Sequence, residues 1–326
     1  MSDGCVTDAV LAALRRRLVP RGVTDLVPLA GGASSLTYRG SMDGRSIVVK
    51  MAPPGHAPVA HRDVLRQARM IAALSGSDVP VPEVLWCDAG DPPDVPPLFA
   101  MTLVDGESFE PLFDAHAGGA DSAVTQRYYA AAQVMARLHR LDPDSLGCGD
   151  EPVGDAATEI ERWSATLATV DPELAPGWRD VADALRTALP APVAAAVVHG
   201  DFRLGNLLAA GAEITAVIDW EIWSIGDPRI DAGWFLINSD PQTYHRGTPY
   251  DSHVPGIGRL AACYTEARET DVADLRYFMA LACFKSTATW SLIVKHNRRR
   301  AEPRAELEVM APVLPTLLTQ ARSLLD

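Results

Sequence analysis

Short runs of apolar and β-branched residues alternate with turn residues over the first hundred positions of the chain. The pairs Gly31-Gly32 and Asp43-Gly44 separate the first three runs, and such pairs are typical of tight turns between antiparallel strands. Between residues 63 and 74 the apolar positions recur at helical spacing and stop before Gly76, which predicts one amphipathic helix. The runs that predict strands are 26–29, 36–39, 46–50, 84–87 and 98–104.

Longer helical patterns follow Gly106, and a compact β-rich segment at 193–220 interrupts them, with a turn at Gly211. This order predicts an α+β fold of two lobes. A small β-rich lobe with one main helix takes residues 1–104, and a larger, mostly helical lobe carrying a β-hairpin takes residues 105–326. The patterns that predict helices are 122–141, 156–170, 177–189, 258–268, 272–296 and 306–325.

The strongest chemical signal lies in the β-rich segment. It reads Val-Val-His199-Gly200-Asp201 and continues through a short loop to Asn206, and the next apolar run ends at Asp219. Adjacent strands of a hairpin stand about 4.8 Å apart, so Asn206 and Asp219 can offer oxygens to one metal ion while Asp201 points at a substrate. Magnesium prefers such hard oxygen ligands. Each residue alone could cap a turn or end a strand, but the ordered set favours phosphoryl transfer.

This segment resembles the aminoglycoside phosphotransferase and choline kinase family, and the similarity extends over residues 25–240. The resemblance implies a protein-kinase-like fold with a catalytic β-hairpin, the cofactors ATP and Mg²⁺, and phosphoryl transfer to an alcohol group of a small molecule. It implies that Asp201 is the catalytic base and that Asn206 and Asp219 bind the metal. His199 and Asp231 would support the loop structurally, and Trp220 and Trp234 are interpreted as packing residues.

The same resemblance assigns the nucleotide site to the N-terminal lobe. Lys50 closes a predicted strand and is similar to the kinase lysine that contacts the α- and β-phosphates. The preceding glycine- and serine-containing turn resembles the family's nucleotide loop, and the strand at 98–104 resembles the hinge that binds adenine. The residues assigned to the nucleotide are Gly31, Gly32, Ser34, Ser35, Lys50, Met101, Thr102, Leu103 and Val104.

One position departs from the family pattern. The kinase lysine is normally paired with a glutamate on the N-lobe helix, and the aligned residue here is Gln67. Asp63, one helical turn earlier on the same face, is a candidate substitute. This departure keeps a second function open: a pseudokinase or nucleotide-binding scaffold with little turnover.

Composition and net charge argue against some classes of binding partner. A formal net charge of −13 argues against nucleic acid or an anionic membrane as a partner, and the five scattered cysteines indicate neither disulfides nor a zinc site. The order of charges and apolar residues at the N-terminus differs from a secretory signal, which favours a cytoplasmic protein.

The acceptor stays open between aminoglycosides, macrolides, choline, homoserine and fructosamine-type sugars. Antibiotic resistance is one role that this range includes, and the oligomeric state is not predicted. Most of the excess negative charge lies after residue 105, which slightly favours a cationic acceptor, and aromatic faces suit cation binding. The aromatic candidates are Tyr128, Trp163, Trp223, Trp234 and Trp290.

Overall fold

The computed structural model describes residues 8–29, 35–111, 121–245 and 247–326. The chain divides into two compact units, Met1–Gly106 with Thr215–Trp223, and Glu107–Ile214 with Ser224–Asp326. The sequence predicts one boundary between the lobes, after residue 104. It does not predict that Thr215–Trp223 belongs to the first unit. The reason is local: the Val217 amide donates to the Pro80 carbonyl at 2.8 Å, and the Thr215 hydroxyl donates to the Asp105 carbonyl at 2.8 Å.

The first unit is built on a five-stranded antiparallel sheet in the order β1-β2-β3-β5-β4. Asp43 and Gly44, which join the second and third strands, both have positive φ angles, 50° and 76°. These angles are typical of a two-residue hairpin turn and confirm the predicted turn. The strands are β1 (Val23–Pro28), β2 (Leu36–Met42), β3 (Arg45–Met51), β4 (Val84–Asp88) and β5 (Leu98–Thr102).

Among the described residues of this unit are two α-helices, α1 (Asp8–Leu18) and α2 (Val64–Leu74). The predicted helix is α2, and the Asp63 carboxylate caps it by accepting the Arg66 amide at 2.9 Å. Helix α1 was not predicted. Its Leu14 and Leu18 are buried in the same apolar cluster as the sheet residues, so the helix covers one face of the sheet.

The second unit is mostly helical, as predicted, and carries two small three-stranded sheets in the orders β10-β9-β6 and β7-β11-β8. Gly211, with φ of 62°, lies between β9 and β10 and confirms the predicted hairpin. The strands are β6 (Glu107–Ser108), β7 (Val153–Gly154), β8 (Ala196–Val198), β9 (Leu207–Ala210), β10 (Glu213–Val217) and β11 (Ser224–Gly226). The helices are α3 (Asp121–Arg140), α4 (Ala156–Leu167), α5 (Trp178–Thr187), α6 (Arg229–Asn238), α7 (Ile257–Arg268), α8 (Leu275–Arg298), α9 (Ala305–Glu308) and α10 (Leu314–Leu325).

Helix α6 was not predicted, because almost all of its residues are buried and a helix without a polar face shows no amphipathic period. It packs closely on α8. A Cβ at Gly233 would collide with the Phe278 carbonyl group, so glycine at this position permits the close approach. The approach brings the side chains that follow Gly233 next to the middle of α8.

Helix α8 is long and apolar enough to cross a membrane by length and composition alone. However, 78% of its most apolar window is buried within the protein, and a buried core helix meets the same criterion. Within the described residues it is the one helix of this kind. Its buried position makes it weak evidence for a membrane segment.

Candidate active site

Asp201 lies in the loop that follows a buried strand. Strand β8 is fully buried, the chain turns at Gly200 with φ of 86°, and a 3₁₀ turn at Leu204–Asn206 leads into β9. A residue with a side chain rarely adopts this φ, which explains glycine before Asp201. The loop therefore places Asp201 and Asn206 on either side of one short turn.

Both carboxylate oxygens of Asp201 accept hydrogen bonds. Trp234 Nε1 donates to Oδ1 at 2.7 Å, and Asn206 Nδ2 donates to Oδ2 at 2.7 Å. Arg203 Nε lies 3.2 and 3.3 Å from the two oxygens. The side chain is still 26% exposed. Three donors thus fix the carboxylate while leaving part of it open to another molecule.

Asp231 supports this loop from within the core. Its carboxylate is fully buried and accepts the His199 and Gly200 amides at 2.6 and 2.8 Å. Burial alone would raise its pKa, but the hydrogen bonds from His139 and the backbone outweigh this effect and hold the pKa below its ordinary value. His199 Nδ1 in turn accepts the Asp201 amide at 3.2 Å. His199 and Asp231 thus both contact the backbone of the loop that carries Asp201.

Lys285 of helix α8 reaches the same loop. Its buried ammonium donates to the Gly200 carbonyl and lies 4.3 Å from the centre of the Trp234 ring and 5.7 Å from that of Trp163. Burial lowers the pKa of Lys285, while nearby carboxylates, among them Asp201, oppose the shift. No role for Lys285 was predicted from the sequence.

Asp219 and Lys50 meet in the first unit. Lys50 Nζ lies 2.9 Å from Asp219 Oδ1, and both side chains line a small cavity together with Gln67 and Met101. Asp219 follows β10 with φ of 65°, a left-handed conformation that is uncommon for residues other than glycine and often marks a functional site. The ion pair brings the predicted phosphate-binding lysine to a predicted metal ligand.

Gln67 is buried and donates to the His61 carbonyl at 3.4 Å. It lines the same cavity as Lys50. Asp63 was the candidate substitute for the kinase glutamate. Its carboxylate instead caps helix α2, and Asp219 is the carboxylate that pairs with Lys50.

The structure describes only some of the other residues assigned to nucleotide binding. Gly31, Gly32 and Ser34 lie outside the described residues. Ser35 is buried, and its hydroxyl has no hydrogen-bond partner among the described residues. In the predicted hinge, β5 ends at Thr102, earlier than expected. The amides of Thr102 and Leu103 donate to the Glu83 and Ser46 carbonyls at 2.9 and 3.2 Å. These two amides are therefore engaged within the protein.

The aromatic faces proposed for a cationic acceptor already contact the protein's own cations or its core. Lys285 lies against Trp163 and Trp234, and Arg66 lies 3.7 Å from the centre of the Trp223 ring. Trp290 packs against the C-terminal core, and Tyr128 is buried. The structure thus gives no support to cation binding by this set.

Each unit supplies one candidate side chain of the kind that binds magnesium at a nucleotide. Among the described residues no group of three histidine, cysteine, aspartate or glutamate side chains forms a metal cage. Magnesium at nucleotides, however, is usually held by one or two side chains together with phosphates and waters. Because Asn206 donates through Nδ2 to Asp201, its Oδ1 is the amide atom that points away from this bond. Asn206 Oδ1 and the Asp219 carboxylate are ligands of the required kind.

Comparison with solved structures identifies the fold. A proposed aminoglycoside phosphotransferase from Ralstonia eutropha JMP134 superposes with a TM-score of 0.76, covering 96% of this chain and 98% of that chain at 21% identity. A thermostable mutant of aminoglycoside phosphotransferase APH(4)-Ia, in ternary complex with ADP and hygromycin B, gives a TM-score of 0.65, covering 94% and 97% at 17% identity. The chain has the protein-kinase-like fold of these phosphotransferases, as expected.

Sequence comparison gives the family. The model of the phosphotransferase enzyme family, APH, matches residues 25–263, and the chain belongs to this family. Acyl-CoA dehydrogenase family member 11 from Gallus gallus is 27% identical over 288 residues, which are 82% of this chain and 36% of that protein. The chain spans between 20% and 36% of the length of the curated relatives it matches.

The roles of several residues at the site were not predicted from the sequence. Trp234 was interpreted as packing alone, whereas its indole donates to Asp201; Trp220 is buried, as predicted. Glu110 accepts the Gly205 amide at 3.2 Å and lies 3.7 Å from Arg203. Arg203 lies within the motif itself, two residues after Asp201, and this basic residue was the one signal available.

Proposed function

We propose that the protein is an ATP-dependent small-molecule kinase that transfers the γ-phosphate to a substrate hydroxyl. The observation that carries the proposal is Asp201: a family-motif carboxylate, held on both oxygens by Trp234, Asn206 and Arg203, yet partly exposed. A carboxylate held in this way can orient an attacking hydroxyl and accept its proton. Family membership supports the same chemistry.

The metal role falls to Asn206 and Asp219. When bound, Mg²⁺–ATP supplies the phosphoryl group and the charge neutralisation that phosphoryl transfer requires. Asn206 would hold the metal through Oδ1 and Asp219 through its carboxylate, which in this structure pairs with Lys50.

Nucleotide recognition is assigned to the first unit. Lys50 is buried at the end of β3, where its ammonium can contact phosphate oxygens. The buried Ser35 hydroxyl offers a further donor. Because the Thr102 and Leu103 amides are engaged and Met101 is paired on both sides within the sheet, we propose that adenine is bound through the backbone of Val104, with Met101 lining its pocket.

The acceptor is a small molecule with an alcohol group. Hygromycin B accompanies ADP in the APH(4)-Ia complex, which supports a polyhydroxylated acceptor. The occupied aromatic faces give no reason to require a cation. A panel that contains aminoglycosides, macrolides, choline, sugars and hydroxy acids, tested for ATP consumption and product mass, would identify the class.

The test compares three substitutions. Asp201→Asn removes the base with little change in volume and is expected to abolish acceptor phosphorylation while nucleotide affinity stays within about threefold. Asp219→Asn is expected to remove Mg²⁺-dependent nucleotide binding. Asp150→Asn, at an exposed turn, is the matched control. Normal turnover in the Asp201→Asn protein would contradict the assignment.

A nucleotide-binding scaffold with little turnover is the second candidate. Gln67, in place of the helix glutamate, is the observation that favours it, because a neutral amide orients Lys50 less strongly than a carboxylate. Nucleotide binding without acceptor phosphorylation across the panel, and without slow Mg²⁺-dependent ATP hydrolysis, would favour the scaffold over the kinase.

A further inference from the structure

Two oppositely charged, buried side chains hold the peptide groups of Gly200. Asp231 accepts the Gly200 amide at 2.8 Å, and Lys285 donates to the Gly200 carbonyl. Both side chains come from helices, α6 and α8, whose backbones approach closely at Gly233. Gly200 directly precedes Asp201, so its two peptide groups set the direction in which Asp201 leaves the loop.

Lys285 reaches Asp201 by a second route. Its ammonium lies 4.3 Å from the centre of the Trp234 ring, a distance at which a cation is attracted to the face of an indole. The same indole donates its N–H to Asp201 Oδ1 at 2.7 Å. One side chain therefore contacts both the backbone before Asp201 and the ring that holds the Asp201 carboxylate.

Burying an ammonium is costly, because the charge loses its water. Burial accordingly lowers the pKa of Lys285. A methionine of similar length would fill the same space at no such cost, so packing alone does not explain a lysine here. The hydrogen bond to the Gly200 carbonyl and the cation–ring contact with Trp234 distinguish lysine from an apolar residue at this position.

We propose that Lys285 is a positioning residue for Asp201, acting through the Gly200 carbonyl and the Trp234 ring. This inference rests on the proposed function, because it gives Asp201 the catalytic role. Lys285 acts through its neighbours and is not assigned a contact with the substrate or nucleotide.

The test uses a matched pair on one helix. Lys285→Met removes the ammonium and keeps the length of the side chain. Lys295→Met is the control, because Lys295 also lies on α8 and also donates to a backbone carbonyl, that of Thr169, but is only partly buried and makes this bond near the solvent. Lys285→Arg keeps a cation and a donor and serves as the rescue variant.

We expect kcat to fall by about 10- to 100-fold in Lys285→Met, the range expected when a catalytic group is displaced by about 1 Å. The KM for nucleotide should stay within about twofold, and Lys285→Arg should recover part of the loss. Lys295→Met should match the parent protein. A kcat in Lys285→Met equal to that of the parent would overturn the proposal.

Hydrogen exchange gives a readout that does not depend on activity. The Asp201 amide, which belongs to the same peptide group as the Gly200 carbonyl, should exchange faster in Lys285→Met, with the rest of the second unit unchanged. Faster exchange throughout the unit would mean a general packing role and would also overturn the proposal. If the parent protein phosphorylates no acceptor, the proposed function fails, and the local exchange result still decides whether Lys285 holds the loop.

Discussion

Lys50 Nζ and Asp219 Oδ1 lie 2.9 Å apart, so the carboxylate that pairs with Lys50 lies outside helix α2, the helix from which the kinase pattern supplies its glutamate. The Lys50 side chain is 10% exposed and that of Asp219 34% exposed. Helix α2 contributes Gln67 to the same cavity and no carboxylate. Lys50 is therefore held by the carboxylate that is also the candidate metal ligand, so the two roles compete for one side chain.

This competition predicts the effect of restoring the glutamate. Gln67→Glu would offer Lys50 a second carboxylate within the shared cavity, so that Asp219 is released for the metal. We expect kcat/KM for ATP to rise severalfold, because an opposite charge orients the ammonium more strongly than an amide does. Steady-state kinetics at varied Mg²⁺ would measure this. Gln67→Met, which is uncharged, is the control, and equal kinetics in both variants would contradict the competition.

A second prediction concerns the contact between helix α2 and the Thr215–Trp223 segment. Arg66 Nη1 donates to the Trp223 carbonyl at 2.9 Å, and Trp223 Nε1 donates to the Arg66 carbonyl at 3.3 Å. The guanidinium also lies 3.7 Å from the centre of the Trp223 ring. These contacts join the helix that carries Gln67 to the segment that carries Asp219.

Arg66→Ala should therefore lower the free energy of unfolding by about 1–2 kcal/mol, the sum of a stacked cation and a hydrogen bond. It should also raise the KM for ATP, because the two sides of the cavity are no longer joined. Arg69→Ala, at an exposed position on the same helix, should change neither quantity. Urea unfolding and ATP titration would check both, and an unchanged KM in Arg66→Ala would show that the contact is structural only.

The sequence predicted those parts of the fold that depend on local order. The hairpin turn at Asp43-Gly44 and the loop from His199 to Asn206 follow from residue types at fixed spacing. Trp234 and Lys285 could not be found in this way, because they lie 33 and 85 positions from their partners in the loop. Their contacts arise from the packing of α6 on α8, and α6 itself shows no amphipathic period because nearly all of it is buried.

The pH dependence of stability provides a third prediction. His139 is fully buried; its Nε2 lies 3.3 Å from Asp231 Oδ2 and its Nδ1 lies 2.7 Å from the Tyr264 hydroxyl. Burial lowers the pKa of His139 below its ordinary value. At a pH below about 6.5 the unfolded chain binds a proton at this histidine and the folded protein does not. The stabilisation that the buried, neutral His139 contributes is therefore complete above about pH 6.5. It is lost as the pH falls through the pKa of His139 in the folded protein.

The free energy of unfolding should decrease from pH 7.5 to pH 5.5, by up to about 1.4 kcal/mol per pH unit for one group. His139→Gln should reduce this slope, because glutamine keeps hydrogen-bonding capacity and does not titrate. The pKa of Asp231 is also held low, but its stability is lost in a more acidic range, as the pH falls below about 4. Urea unfolding at several pH values would check the slope, and an equal slope in both proteins would contradict the assignment to His139.

The hydrogen bond from Trp234 to Asp201 gives the last prediction. Trp234→Phe removes the N–H that donates to Asp201 Oδ1 at 2.7 Å and keeps an aromatic face next to Lys285. Asp201 would then be held by Asn206 and Arg203 alone, and Oδ1 would keep only the longer contact with Arg203 Nε at 3.2 Å. We expect kcat for acceptor phosphorylation to fall about tenfold, with nucleotide affinity unchanged, because the orientation of the carboxylate matters most in the transition state.

Trp290→Phe, in the C-terminal core, controls for the loss of an indole elsewhere. An equal loss of kcat in both variants would indicate a general packing effect, whereas a loss confined to Trp234→Phe would assign this indole to the support of Asp201.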